Sequence, residues 1–184
     1  MTAALTVPEL VRQQTPRVYA QATSSIDPDL ILAMVWQEST GDESAWNPEP
    51  RFRWFWNVKT NAPFRAVTEE EIASERPPAD FPCLRADPDQ EWWAQQASWG
   101  LMQVMGSVAR ENGFKAPYIP RLIREPDLGL QIGIQQFRKH LRRRNGDIRA
   151  ALLRYNGGGN LKYPDEVLEK HRVIKTARLT GAAV

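Results

Sequence analysis

Six proline-bearing dipeptides crowd the stretch from about Thr40 to Ala97: Asn47-Pro48, Glu49-Pro50, Ala62-Pro63, Pro77-Pro78, Phe81-Pro82 and Asp87-Pro88. Proline lacks the amide proton that helices and central strands require, and it drives the preceding residue into extended backbone. This stretch therefore cannot be one long helix or the middle of a sheet, so regular structure must come from the segments on either side. Within it only Thr68 to Ser74, with acidic residues in its first turn, has the pattern of a short helix.

Both flanks carry helical periodicity. Residues 8–22 predict a helix bent or broken at Pro16, and residues 27–39 predict a second, with Asp27 as N-cap, Pro28 at the first position and Ile31, Val35 and Glu38 on one stripe. After Gly100, Ser107 is placed to cap a segment running through Glu111. A helix from Pro126 to about Arg143 then presents Leu130, Ile134, Phe137 and Leu141, and Gly129 and Gly133, four apart, would admit a close neighbour. Asp147 caps a helix with Ile148, Ala151, Leu152 and Tyr155 on one face and Gly157 as its stop, and a last helix from about Pro164 turns Val167, His171 and Ile174 inward. The expected fold is mainly α, one domain over residues 1–184 with a long irregular insertion at about 44–97.

A chain of 184 residues can bury a core without staples. Cys83 is the only cysteine and His140 and His171 the only histidines, so neither an intramolecular disulfide nor a Cys/His zinc site is expected, and no cofactor is implied. No stretch approaches the roughly 20 apolar residues of a membrane span. Met1 to Ser25 lacks a basic start followed by an apolar run, which predicts synthesis in the cytoplasm without a signal peptide. Residues 1–109 hold 8 Lys+Arg against 15 Asp+Glu, a net −7, whereas residues 110–184 hold 16 against 7, a net +9. Such asymmetry favours an anionic polymer. The densest basic run, Arg138 to Arg144, reads as a solvated helix face, and no nucleic-acid motif accompanies it.

The chemistry concentrates in three places. Glu38 puts a carboxylate beside Met34 and Val35, where burial would raise its pKa and keep a proton available near neutral pH. Ser98-Trp-Gly-Leu-Met-Gln-Val-Met105 and Leu152-Leu-Arg-Tyr-Asn-Gly-Gly158 embed polar groups in apolar ones, as the lining of a cleft does. A glycosidic oxygen leaves poorly unless protonated, so a carboxyl that holds its proton suits acid-catalysed attack on a sugar polymer.

Leu30-Ile-Leu-Ala-Met-Val-Trp-Gln-Glu-Ser39, Gly100-Leu-Met-Gln-Val-Met105 and Tyr155-Asn-Gly-Gly158 resemble, in order, the three signature segments of the SLT-type lytic transglycosylases. Trp46-Asn-Pro-Glu-Pro50 and Gln95-Gln-Ala-Ser-Trp-Gly100 are similar to the phage-type branch. The resemblance implies a lysozyme-like α fold and cleavage of the bond between N-acetylmuramic acid and N-acetylglucosamine in peptidoglycan glycan strands. Glu38 would be the single acid/base, leaving a 1,6-anhydro ring. Gln103 and Met105 would line the cleft, Tyr155 would bring its hydroxyl near the acid, Asn156 would contact substrate, and Ser39 and Ser98 are weaker candidates of the same kind. Delivery to the wall would fall to a virus particle, a lysis pore or a secretion machine.

Glu43-Ser-Ala-Trp-Asn-Pro48 repeats the pattern that follows the acid, but Glu43 comes after Gly41 and Asp42 and is out of phase with the apolar stripe. The chain also departs from the family. The connection from Ser39 to Ser98 is long, Gly106-Ser107 replaces a proline-containing turn, and Gly129 stands where asparagine is common. The insertion adds Trp54, Phe55, Trp56, Trp92 and Trp93, which either wall the cleft or anchor the loop, and carboxylates at Asp42, Glu49, Asp89 and Glu91. One of these carboxylates positioning water would make a goose-type-like muramidase instead. A wall-binding virion module without activity is the alternative outside enzymes.

Overall fold

In the computed structural model, which describes residues 5–22, 25–85 and 87–180, the chain is mainly helical, as the patterning predicts. It divides into two compact units, residues 1–43 with 133–184, and residues 44–132.

The first unit is built around helix α3, Pro28–Ser39. The Asp27 side chain caps it by accepting from the Asp29 amide at 3.0 Å, and Pro28 occupies its first turn. Residues 30 to 36 are buried without interruption, so α3 is enclosed on all sides where a one-sided stripe was expected. Around it lie α1 (Glu9–Gln13), α2 (Thr15–Gln21) and α10 (Tyr163–Leu179), with α9 (Ile148–Tyr155) against α10. The predicted first helix is thus two helices, parted at Gln14 just ahead of Pro16. Polar contacts fasten the start of α3: Asp27 to His171 and Lys175, each at 3.1 Å, and Asp29 to Tyr19 and Arg178. Behind Ser39 the chain turns through Thr40 and Gly41 at φ 54° and 87°. A side chain at Gly41 would stand 2.5 Å from the backbone of Leu10 and Val11, so only glycine lets the turn lie against α1.

The second unit holds most of the proline-rich stretch. Strand β1 (Trp46–Pro48) pairs antiparallel with β4 (Ala97–Trp99), which pairs with β5 (Val104–Met105), and β2 (Trp56–Asn57) pairs with β3 (Ala62–Pro63). Helix α4 (Glu69–Ala73) is closed by a capping box from Thr68 and Glu71, in the place expected. The patterning gave no sign of α5 (Pro88–Gln95), capped by Asp87, or of the single turn α7 (Arg121–Arg124). Helix α6 (Gly106–Glu111) starts at Gly106, and Ser107 lies buried within its first turn instead of capping it. The division between the units falls within α8 (Pro126–Arg143).

Candidate active site

Glu38 lies in the last turn of α3 and is partly buried by area. Its carboxyl is nonetheless well desolvated, and desolvation pushes its pKa up to about 7 against a hydrogen bond from the Tyr163 hydroxyl to Oε1, which favours the carboxylate. Burial and then the Glu38 charge raise the pKa of Tyr163, and the same two causes, in that order, raise that of Tyr155 well above the ordinary phenol value. Two neutral phenols therefore flank a carboxyl that exchanges its proton near neutral pH.

The helices explain the placement. Asp147 caps α9 by accepting from the Ala150 amide at 3.0 Å, and α9 then ends on Tyr155, whose ring stands edge-on to Phe137 and His140 at centroid distances of 6.2 and 6.4 Å. Tyr163 opens α10 directly before Pro164 and is 2% exposed. Sequence reasoning passed over Tyr163. The available signal was a tyrosine at the apolar start of a helix, whose hydroxyl needs a partner once buried.

The segment after Tyr155 is tied to the turn that carries the acid. Asn156 Oδ1 accepts from the Asn160 amide at 3.0 Å, and Asn160 Nδ2 donates to Glu166 Oε2 at 3.1 Å. The same Glu166 oxygen accepts from Gln37 Nε2 at 3.0 Å, and Lys170 donates to Gln37 Oε1. Asn156 is thus held in place through its own carbonyl oxygen. Ser39 donates to the Val35 carbonyl at 3.1 Å and accepts from the Gly41 amide at 3.2 Å, which makes it the closure of the helix end. Glu43 is exposed and paired with Arg17 at 2.8 Å, in contrast to Glu38.

Ser98, Gln103 and Met105 belong to the second unit. Gln103, at φ 44°, donates through Nε2 to the Gly100 and Ala45 carbonyls at 2.9 and 3.2 Å and accepts from Ser98 Oγ at 2.8 Å. Both amide protons are spent on fastening the β4–β5 turn to the chain ahead of β1, leaving acceptor capacity on Oε1. Met105 is half-buried on β5. Gly106 follows because a side chain there would meet the Ala94 carbonyl of α5 at 2.0 Å, which explains glycine where proline was expected.

The insertion aromatics separate by role. Phe55 and Trp92 stack at 4.1 Å with Phe81 edge-on to both, a small core of the second unit, whereas Trp54 is 75% exposed. Glu91 is buried and grips Arg110 through two hydrogen bonds of 2.8 and 2.6 Å while also accepting from Gln95. Its oxygens are therefore committed to structure and cannot position an attacking water. Glu49 is exposed and accepts from Asn47, and Asp42 and Asp89 are exposed. Among the described residues no group of three His, Cys, Asp or Glu side chains is disposed to hold a metal ion, and no helix is long and apolar enough to cross a membrane.

Comparison with known proteins agrees with the three segments. No curated protein and no solved structure gives a significant match to the chain. The family described as Transglycosylase SLT domain matches residues 17–172, a span that takes in Glu38, Gln103, Tyr155 and Tyr163, and the mainly α architecture is consistent with its lysozyme-like fold. With most of its length matched, the chain belongs to the SLT transglycosylase family.

Proposed function

We propose that this chain cleaves the β-1,4 bond between N-acetylmuramic acid and N-acetylglucosamine in peptidoglycan, with Glu38 as the single acid/base and a 1,6-anhydro-muramoyl end as product. The observation that carries the proposal is the Glu38 carboxyl, desolvated to a pKa of about 7 and joined to the Tyr163 hydroxyl. In the first step protonated Glu38 gives its proton to the leaving glycosidic oxygen as the C1–O bond breaks. The Tyr163 hydrogen bond stabilises the carboxylate that results. In the second step that carboxylate takes the proton of the muramoyl C6 hydroxyl as its oxygen bonds to C1, so Glu38 ends as it began and no water is consumed. A carboxyl with a pKa near the working pH serves both directions of transfer. The route needs no second carboxylate, consistent with the engagement of Glu91 by Arg110.

The test is lysis of purified peptidoglycan with mass analysis of the released muropeptides. The products should be one water lighter than those of a muramidase. Glu38→Gln should lose at least about a hundredfold in rate, the scale of general acid catalysis, whereas Glu43→Gln should stay within about twofold, as an exposed ion pair warrants. Full activity in Glu38→Gln ends the assignment, and products of hydrolytic mass replace transglycosylation by hydrolysis.

A further inference from the structure

Many arginines in this chain are ion-paired, although Arg51, Arg76, Arg85 and Arg124 have no ion pair among the described residues. Arg12, Arg17, Arg53, Arg65, Arg110 and Arg121 each reach a carboxylate within 2.8 Å. The segment from residue 131 to 164 is richer in unpaired arginines, although Arg149 pairs with Asp165 at 2.8 Å and Lys139 is engaged as well. It holds eight basic residues (Arg138, Lys139, Arg142, Arg143, Arg144, Arg149, Arg154 and Lys162) against one acidic residue, Asp147, a net +7 in a chain of net +2. The Asp147 carboxylate is engaged in capping α9. Arg142, Arg143, Arg144 and Arg154 are exposed, and neither they nor Arg138 has an ion pair among the described residues.

Charge at a helix end has an ordinary explanation, since cations near a C-terminus complement the helix dipole. That accounts for Arg142 and Arg143 in the last turn of α8. It accounts as well for Arg154 in the last turn of α9, but not for Arg138, more than a turn upstream of the α8 end, or for Arg144 just beyond it. Consecutive like charges with no acid between them repel one another, and an anion from outside would relieve that repulsion. The position adds a direction: the run precedes α9, and α9 ends on Tyr155 beside Glu38. Eight residues of helix span about 12 Å.

We infer that the exposed arginines at the α8–α9 junction are a docking surface for the carboxylates of the peptide stems carried by peptidoglycan. The inference rests on the wall-cleaving reading above and deepens it. A stem hangs from the lactyl group of the muramic acid whose C1 faces Glu38, and four extended residues reach about 13 Å, which matches the length of α9. The planar guanidinium suits the terminal and side-chain carboxylates of such a stem in bidentate pairs. The surface would favour stem-bearing strands over bare glycan, and it would hold the protein to the wall between cleavages.

The test uses the Glu38→Gln chain, which binds without turnover, and the same chain carrying Arg142→Gln, Arg143→Gln and Arg144→Gln. Binding is measured to insoluble peptidoglycan stripped of phosphodiester polymers, to glycan strands freed of stems by an amidase, to polyglycerol phosphate and to duplex DNA. The expected result is at least a tenfold loss of affinity for stem-bearing wall in the triple variant and no change for stem-free strands. The parent's affinity for stem-bearing wall should also fall steeply between 50 and 500 mM salt. Equal affinity of parent and triple variant for stem-bearing wall overturns the inference. So does equal affinity of the parent for strands with and without stems, or a preference for polyglycerol phosphate or DNA. Cleavage of stem-free strands by the chain with Glu38 intact tests the underlying reading separately, because it needs Glu38 and not the arginines.

Discussion

Replacing Tyr163 by phenylalanine removes one hydroxyl from a 2%-exposed side chain and leaves the ring in place, so packing changes little while the hydrogen bond that Tyr163 gives the Glu38 carboxyl is lost. That hydrogen bond favours the charged form and opposes desolvation. A hydrogen bond to a charged group contributes about 1.5–3 kcal/mol. At 1.36 kcal/mol per pKa unit, its loss should raise the Glu38 pKa by about 1 to 2 units, from about 7 to about 8 or 9. The alkaline limb of the pH–rate profile for peptidoglycan cleavage should move up by the same amount, because the proton donor survives to higher pH. The rate on the acid side should fall, because the carboxylate left after proton donation loses its stabilising partner. An alkaline limb that stays in place, or moves to lower pH, would refute the pairing of Tyr163 with Glu38.

Two further outcomes follow from burial. The Glu38 pKa rises from 4.5 unfolded to about 7 folded, so folding is penalised only as pH climbs through that window, and the loss reaches at most about 3 kcal/mol above pH 7; the melting temperature of Glu38→Gln relative to the parent should therefore increase from pH 5 to pH 8, and a pH-independent difference contradicts it. Glu91→Ala strands the buried Arg110 guanidinium, whose side chain is 1% exposed, and should cost about 3–5 kcal/mol by denaturant unfolding, with far less lost when both partners are replaced by apolar residues.

Much of the helical frame was legible locally. Asp27 with Pro28 and Asp147 mark helix starts because the cap is a bond between near neighbours in the chain. The capping box at Thr68 and Glu71 is equally local. Helix α5 was hidden because prolines suggest irregularity, although Pro88 behind Asp87 sits in a first turn where its missing amide costs nothing. The insertion aromatics were ambiguous for a different reason. Whether Phe55 stacks on Trp92 or faces substrate depends on residues far along the chain that close over it.

Helical phase alone separated Glu38 from Glu43, and the order of three short segments alone pointed to the family. What depended on the tertiary structure was the partner of the acid. Tyr163 lies 125 residues beyond Glu38 and meets it because α10 packs along α3. The elevated pKa, too, depends on desolvation by burial, which only the folded chain supplies. A periodic pattern records which face of a helix turns inward, but the field at a carboxyl is set by everything folded around it, and that sum exists only once the chain has closed.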